Sequence, residues 1–393
     1  MSFLTITLIF MGLFIIIFHV IKKKDSYDSP EHVMLADGDT HANYKGIILT
    51  FPDKKVYSSD YKFNLTKYNI HLTFGQISAF SGDLFATLKP ISDGATVQDR
   101  EKLFMDSFNV LNNLQYIDTK GNVKDISKTE VLQIIDIINK GEDLINKSLD
   151  EGVDPSIAID GQKDQDDVRY NIATGGGSKI GKFFIPISSG LDIINLKPEG
   201  RYMQLAEVNW DHFLLGGRSS TVYMTGHTLA CKLAAEGGIK NNVSMLIQAY
   251  VLDAFACHYL GDSFAGGHIR TPRKELHYGD GTKDDLAWIN GQTIVGDYLS
   301  RLMHGEDNAK GVYVSNKFCE NSSDPNCSRW TAYGDHRLFD KEDKENLEIA
   351  KMALQKSVDE VWESYNNKKV VESVVLNYIP NINDPNLIPG GKK

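Results

Sequence analysis

The chain has no long low-complexity run, little period-two alternation, few cysteines and no excess of positive charge. The first absence, with 41% apolar and 24% charged residues, excludes a disordered or repetitive protein. Scarce period-two alternation excludes a fold built mainly of half-buried strands. Four cysteines in 393 residues exclude a disulfide-scaffolded chain and leave the redox compartment open. A formal charge of −10 argues against a nucleic-acid-coating protein, which would carry a basic face, so no nucleic-acid partner is expected.

What is present begins with Phe3 to Ile21, an uncharged run of nineteen residues rich in Ile, Leu and Phe. That length crosses a hydrocarbon core of ~30 Å. No positive charge precedes it and no small-residue cleavage site follows, so the reading is an uncleaved transmembrane anchor, 3–21, with a juxtamembrane linker over 22–31. Lys22, Lys23 and Lys24 would place the large domain in the cytoplasm. The sequons at Asn64, Asn146, Asn242 and Asn321, and the loop bracketed by Cys319 and Cys327, point to the other side, and a non-cytoplasmic domain is the expectation. Cys231 and Cys257 lie in apolar helical patterns and read as buried free thiols.

Apolar residues at three- and four-residue steps predict helices over 73–88, 97–114, 126–149, 201–213, 221–235, 243–262, 286–304 and 341–365. Thr73-Phe-Gly-Gln76 can cap the first of these. Residues 150–190, acidic and then Gly-rich, read as a surface excursion, and 312–337 as a loop or hairpin. The expected fold is mainly α, one compact multi-helix domain over 32–393.

The richest segment is His258-Tyr-Leu-Gly-Asp262-Ser-Phe-Ala-Gly-Gly-His268. Residues four apart share a helix face, so His258 and Asp262 can hold one ion together. His268 falls about 80° round a straight helix from His258, and Gly266-Gly267 breaks that helix first, which suits a second, neighbouring ion. The segment before it is almost wholly apolar, so Asp253, His258 and Asp262 should be buried, and buried ionisable groups are expensive unless paired or metal-bound. Structural pairing is the plain alternative. Imidazole with carboxylate is a donor set that suits catalytic zinc. Arg270 and Arg273 follow at the exit, with guanidinium groups suited to an anionic, phosphate-bearing substrate or to nearby acids. Of eleven histidines, His212, His227, His258, His268, His277, His304 and His336 all fall in the C-terminal half.

On these residues the chain resembles the zinc-dependent phospholipases C, and single-strand nucleases of the same all-α fold share the H-x-x-x-D-x5-H spacing. The bacterial zinc metallophospholipases C are the nearer likeness, carried by Leu72–Gln76 to Asp83, Asn209–Phe213, Tyr223–His227, Asp253–Arg273, Met303–Asn308 and Ala332–Asp335. The resemblance runs from about His32 to Leu338 and is thin across 90–200. It implies a helical domain around two or three Zn²⁺ ions and hydrolysis of a phospholipid phosphodiester, such as phosphatidylcholine to diacylglycerol and phosphocholine, with a phospholipid membrane as partner. It further implies His258 and Asp262 as central ligands, Asp262 bridging. His227 would complete the first metal, and His268 with His304 and Asp307 would hold the second. His41 would be the N-terminal ligand, and Asp83 a water-activating base or a further ligand. Asp211, Asp253 and Asp335 are implied outer partners of the ligating imidazoles, and His71, His212 and His336 further candidates. The chain departs from one branch of the family, which ligates metal through an N-terminal tryptophan: no tryptophan precedes Trp210, so Asp39, His41 or His32 would have to take that place. The branch's H-x-x-x-E pair is also missing, since Asn308 follows His304 at that step. Two other readings stand beside this one, a nuclease-like phosphodiesterase of the same fold and a non-catalytic membrane-tethered protein.

Overall fold

Asn242 accepts the Ser244 N–H and so starts a helix, Val243–Asp262, whose residues from Ala249 onward are all buried. The chain winds its other helices about this one. The computed structural model describes residues 29–39, 44–65, 67–159, 163–177, 200–278, 294–320, 329–334, 336–383 and 388–389. Among them thirteen α-helices form: α1 Ser29–Asp37, α2 Phe74–Phe80, α3 Val97–Asn113, α4 Lys128–Asp150, α5 Pro155–Ile159, α6 Lys163–Ala173, α7 Arg201–Glu207, α8 Arg218–Ile239, α9 Val243–Asp262, α10 Gly266–Arg270, α11 Arg273–Tyr278, α12 Ile294–Lys310 and α13 Lys344–Asn367. The protein is one compact, mainly helical domain, as its periodicity predicts.

The strands are short and antiparallel. β1 Ile48–Thr50 pairs with β2 Lys55–Tyr57, β3 Phe63–Leu65 with β4 Ile70–Leu72, and β5 Gln115–Ile117 with β6 Val123–Asp125. β7 Val312–Ser315 pairs antiparallel with β8 Arg329–Ala332, in keeping with the hairpin expected over 312–337, and β9 Ile388–Pro389 adds a third strand beside β7.

Helix ends follow local chemistry. Thr73 and Gln76 form the anticipated capping box of α2, and Thr96 with Asp99 forms another at α3. α2 stops at Phe80, well short of the expected Leu88, because Gly82 adopts φ +69 and turns the chain. α9 packs chiefly on α8, α13 lies against both, and α1 and α2 close the end of α9 that carries Asp262.

The expected anchor, 3–21, lies outside the described residues, and α1 already begins inside the segment expected as linker. Among the described residues, α9 is the one helix long and apolar enough to cross a membrane, but 72% of its apolar window is buried inside the protein, which marks it as the core helix. Within the expected surface excursion, 150–190, the described residues form α5 and α6, with Tyr170 and Asn171 buried against their neighbours, and 178–190 lie outside the described residues. Cys231 and Cys257 are buried and free, and Cys319 is disulfide-bonded.

Candidate metal centre

His258 and Asp262 stand one turn apart at the end of α9, both with no exposed surface. α9 is apolar on every side, so these groups cannot turn to water, and four other segments bring partners to them. α1 delivers His32, whose ring stacks on His258 with centroids 4.4 Å apart. That approach needs Gly261 on α9, where a Cβ would stand 3.0 Å from the His32 ring. The 3₁₀ turn Trp210–His212 delivers His212, and it is fixed because the neighbouring Asp211 accepts the backbone N–H groups of Ile91 and Ser92. The turn after α2 delivers Asp83, and α10 delivers His268, whose carbonyl accepts the Leu214 N–H.

Asp262 is the centre of this arrangement. Its Oδ2 lies 2.8 Å from His212 Nδ1 and 3.4 Å from His258 Nε2. Its Oδ1 lies 3.4 Å from His32 Nε2 and 3.5 Å from His268 Nδ1. The two oxygens thus face different pairs of imidazoles. Asp83 stands 3.8 Å from His212 Nε2 and 4.0 Å from His258 Nε2. Two overlapping trios, His32 with His258 and Asp262, and Asp83 with His212 and His258, each have their donor atoms within 4.8 Å of one another.

The donors fit a cation. Both ring nitrogens of His268, and Oδ1 of Asp262, are buried without a hydrogen-bond partner. Such groups are costly to bury, and a divalent ion would offset that cost while satisfying several at once. The charges are polarised accordingly. For Asp262, burial opposes ionisation, but His258, His212 and His268 hold its carboxyl well below the usual range. For His212, burial is outweighed by Asp262, Asp83 and Asp211, which raise it to about 9. Burial, aided by the charges of His32, His212 and His268, drives His258 well below its ordinary value. Burial also pushes Asp83 up.

Of the residues singled out by motif, His258, Asp262, His268 and Asp83 are brought together. His304 is next in line, its ring 5.0 Å from that of His268, but its Nδ1 lies 3.1 Å from Asn308 Nδ2. Asp307 turns away from the cluster into Arg270, which holds its two oxygens at 2.8 and 2.7 Å. Arg273 is buried and spends its guanidinium on Asn209, Asp297 and the carbonyls of Ala206 and Glu207, so it is a brace between segments. His41 and Asp335 lie outside the described residues. His71 is exposed on β4, and His336 is buried in a left-handed turn whose N–H is held by Glu31.

His227 belongs to a different cluster. Its Nδ1 meets Asp253 at 2.7 Å and its Nε2 meets Glu360 at 3.0 Å, with Ser357 bonded to Asp253 between them. Asp253 precedes Asp262 by nine residues, about 13 Å along a helix. His212, a further candidate from the sequence, takes the position that motif order assigned to His227, and His32, one of the three residues named for the N-terminal place, joins the cluster. The signal for His212 was present in Asn209-Trp-Asp211-His212-Phe213, an imidazole preceded by the carboxylate that anchors its turn.

A small cleft of about 20 Å³ lies against Gly82 and His212, walled by Ala86, Ile91, Leu205 and the buried Tyr259. Gly82 keeps the cleft and the cluster in contact, since a Cβ there would stand 2.7 Å from both His212 and His258.

Comparison with known proteins gave no matching family model, no matching curated protein and no matching solved structure. The metal-binding geometry therefore stands on the residues themselves.

Proposed function

We propose that the protein is a zinc-dependent phosphodiesterase of the phospholipase C type, hydrolysing the bond between glycerol and phosphate in a membrane phospholipid. The observation that carries this reading is Asp262, fully buried among four imidazoles with each oxygen facing a different pair. A carboxylate so placed could be shared between two neighbouring cations. His32, His212, His258 and His268 would hold the ions with it, and His304 flanks the His268 side. Zinc bound there supplies Lewis acidity toward the phosphoryl oxygens and a water of lowered pKa. Asp83 is the acid of the cluster with side-chain exposure, 16%, and the residue next to it, Gly82, lines the cleft. So placed, its carboxylate would take a proton from the attacking water. The walls of Ala86, Ile91 and Leu205 would exclude bulk water from that step.

The cleft offers no exposed aromatic platform among its described lining residues, which counts against a nucleic-acid substrate. An N-terminal anchor, with the domain on the non-cytoplasmic side, would keep the site beside its lipid.

The test is phosphorus release from phosphatidylcholine vesicles by the full chain in detergent, with and without chelator, beside His258→Ala and His212→Ala. Zinc-restorable release of a phosphorylated head group, lost in both variants, is expected. A zinc-loaded protein silent on phospholipids but active on single-stranded nucleic acid would overturn the lipid substrate. A protein that binds no metal would overturn the whole reading.

A further inference from the structure

The cleft beside His212 has room for one oxygen-sized group. Its volume of about 20 Å³ is just above the roughly 10–15 Å³ that a single water needs. Most of its polar lining is already committed. Asp211 accepts the N–H groups of Ile91 and Ser92, Thr87 Oγ1 donates to the Lys89 carbonyl, and Ser107 Oγ accepts the Thr87 N–H.

Two lining side chains keep unused donors. The Asn209 side-chain oxygen accepts Nε of the buried Arg273 at 3.1 Å. That contact fixes which way round the amide lies and leaves its Nδ2 without a hydrogen-bond partner among the described residues. The Tyr259 phenol likewise bonds to none of the described residues. Asn209 and Tyr259 are 9% and 1% exposed, and donors left unmade at such burial are costly.

Tyr259 is also built into the metal centre. It follows His258 on α9 and precedes Asp262 by three residues, so phenol and carboxylate share a side of the helix. Its ring lies 5.4 Å from that of His212, centroid to centroid. Burial, and then the charges of Asp211, Asp262 and Asp83, push the phenol well above its ordinary value. A neutral hydroxyl thus stands among three acids and gives its hydrogen bond to none of them.

We propose that Tyr259 Oη and Asn209 Nδ2 form an oxyanion pocket that binds a non-bridging oxygen of the substrate phosphate, which makes Tyr259 a further catalytic residue. The proposal rests on the phosphodiesterase reading of the metal centre. Donors fixed in advance in a small buried pocket bind a phosphoryl oxygen more tightly as charge grows on it, so they favour the transition state over the bound substrate.

The test uses the zinc-loaded full chain in detergent and two variants of unchanged shape. Tyr259→Phe removes one hydroxyl. Asn209→Asp keeps an oxygen for Arg273 and exchanges the donor for an acceptor. Calorimetry follows the binding of inorganic phosphate, and turnover is read on a monomeric short-chain phosphatidylcholine. Tyr259→Phe should keep wild-type zinc content and urea midpoint, bind phosphate on the order of tenfold more weakly, and lose about a hundredfold in kcat with little change in KM. Asn209→Asp should weaken both phosphate binding and turnover in the same way. Unchanged phosphate affinity and kcat in either variant would overturn that residue's part in the pocket. Loss of zinc from Tyr259→Phe would show that the phenol supports the ligands instead. On a nitrophenyl phosphodiester, whose leaving group needs no proton, the fall in Tyr259→Phe should be the same. A fall confined to the phospholipid would make Tyr259 the acid for the leaving group and overturn the phosphoryl contact. A wild-type chain that binds phosphate through these two residues yet hydrolyses no phospholipid would refute the lipid substrate and leave the pocket standing. A zinc-loaded wild type that binds no phosphate would overturn the pocket, whatever it hydrolyses.

Discussion

His212 and His227 lie fifteen residues apart, and replacing each by alanine separates a ligand from a structural ion pair. Removing His227 leaves Asp253 and Glu360 buried at 0% and 1% exposure, with Lys356, 3.8 Å from Glu360, as the remaining nearby cation. Breaking a buried pair by deleting one partner costs about 3–5 kcal/mol. With a urea slope of roughly 2–3 kcal/mol per molar, the midpoint should fall by about 1–2 M. Burial alone would depress the His227 pKa, but Asp253, Cys231 and Glu360 hold it well above the ordinary range. A raised imidazole pKa stabilises fully below the unfolded value and loses that contribution as pH climbs through the folded one. The gap between wild type and His227→Ala should therefore be larger at pH 6 than at pH 9. His212→Ala should lose bound metal and on the order of a hundredfold in turnover, and because it also strips a buried partner from Asp262 at 2.8 Å, metal content rather than the urea midpoint distinguishes the two variants. Urea unfolding and elemental analysis on the same preparations decide the matter. A His227→Ala protein of normal stability that had lost its metal, beside a His212→Ala protein that kept it, would refute this assignment.

Other expectations follow from individual contacts. Gly82→Ala adds a Cβ 2.7 Å from two imidazoles at a φ of +69, so it should lower metal content well beyond the roughly 1–2 kcal/mol of backbone strain seen in unfolding. Wild-type metal content would show that the turn can yield. Asp307→Asn should keep its metal, because Asp307 is committed to Arg270, and should lose about 1–3 kcal/mol of stability, and loss of metal would return Asp307 to the ligand set. Burial, then the charges of Asp37 and Asp143, push the Glu142 carboxyl from 4.5 to about 8. A raised carboxyl favours the fold below its unfolded pKa and loses that advantage as pH rises through the folded one. Glu142→Gln should accordingly be neutral at pH 4 and stabilising at pH 9, on the order of 2 kcal/mol after solvent screening. Equal denaturation curves at pH 9 would contradict it.

The helical frame was legible wherever a segment carries its own signal. α9 occupies the predicted 243–262 because its apolar run is continuous and Asn242 supplies a cap. α3 and α13 match within a few residues because their apolar faces repeat at helical spacing. Prediction overran at α2, where the apolar pattern continues through Leu84 and Phe85 but Gly82 has turned the backbone out of the helix. A pattern of burial does not distinguish a helix from a tight turn packed into the same core. At α5 and α6, an acidic composition read as surface, yet Asp166 lies buried beside Arg169, paired at 2.7 Å.

The cluster shows why ligands are hard to read from one chain. His227 had what sequence can display, an imidazole on a helix in register with an apolar face, and its fate is decided by Glu360, 133 residues later. His212 sits in a 3₁₀ turn with no periodicity to advertise it, held by a carboxylate that binds backbone 120 residues upstream. The two differ in how many ring nitrogens are already used: Nδ1 of His212 meets Asp262 at 2.8 Å, while its Nε2 stands 3.8 Å from Asp83. Both nitrogens of His227 meet carboxylates, so that imidazole is complete without an ion. Both nitrogens of His268 lack a hydrogen-bond partner, and His258 Nδ1 does too. In a buried core, an imidazole in that condition has either been left at a cost of ~1–3 kcal/mol per group or is kept for something the polypeptide does not supply. Two such atoms, His268 Nδ1 and Asp262 Oδ1, face each other at 3.5 Å and favour the second explanation, because each is a separate penalty and a shared cation would relieve both together.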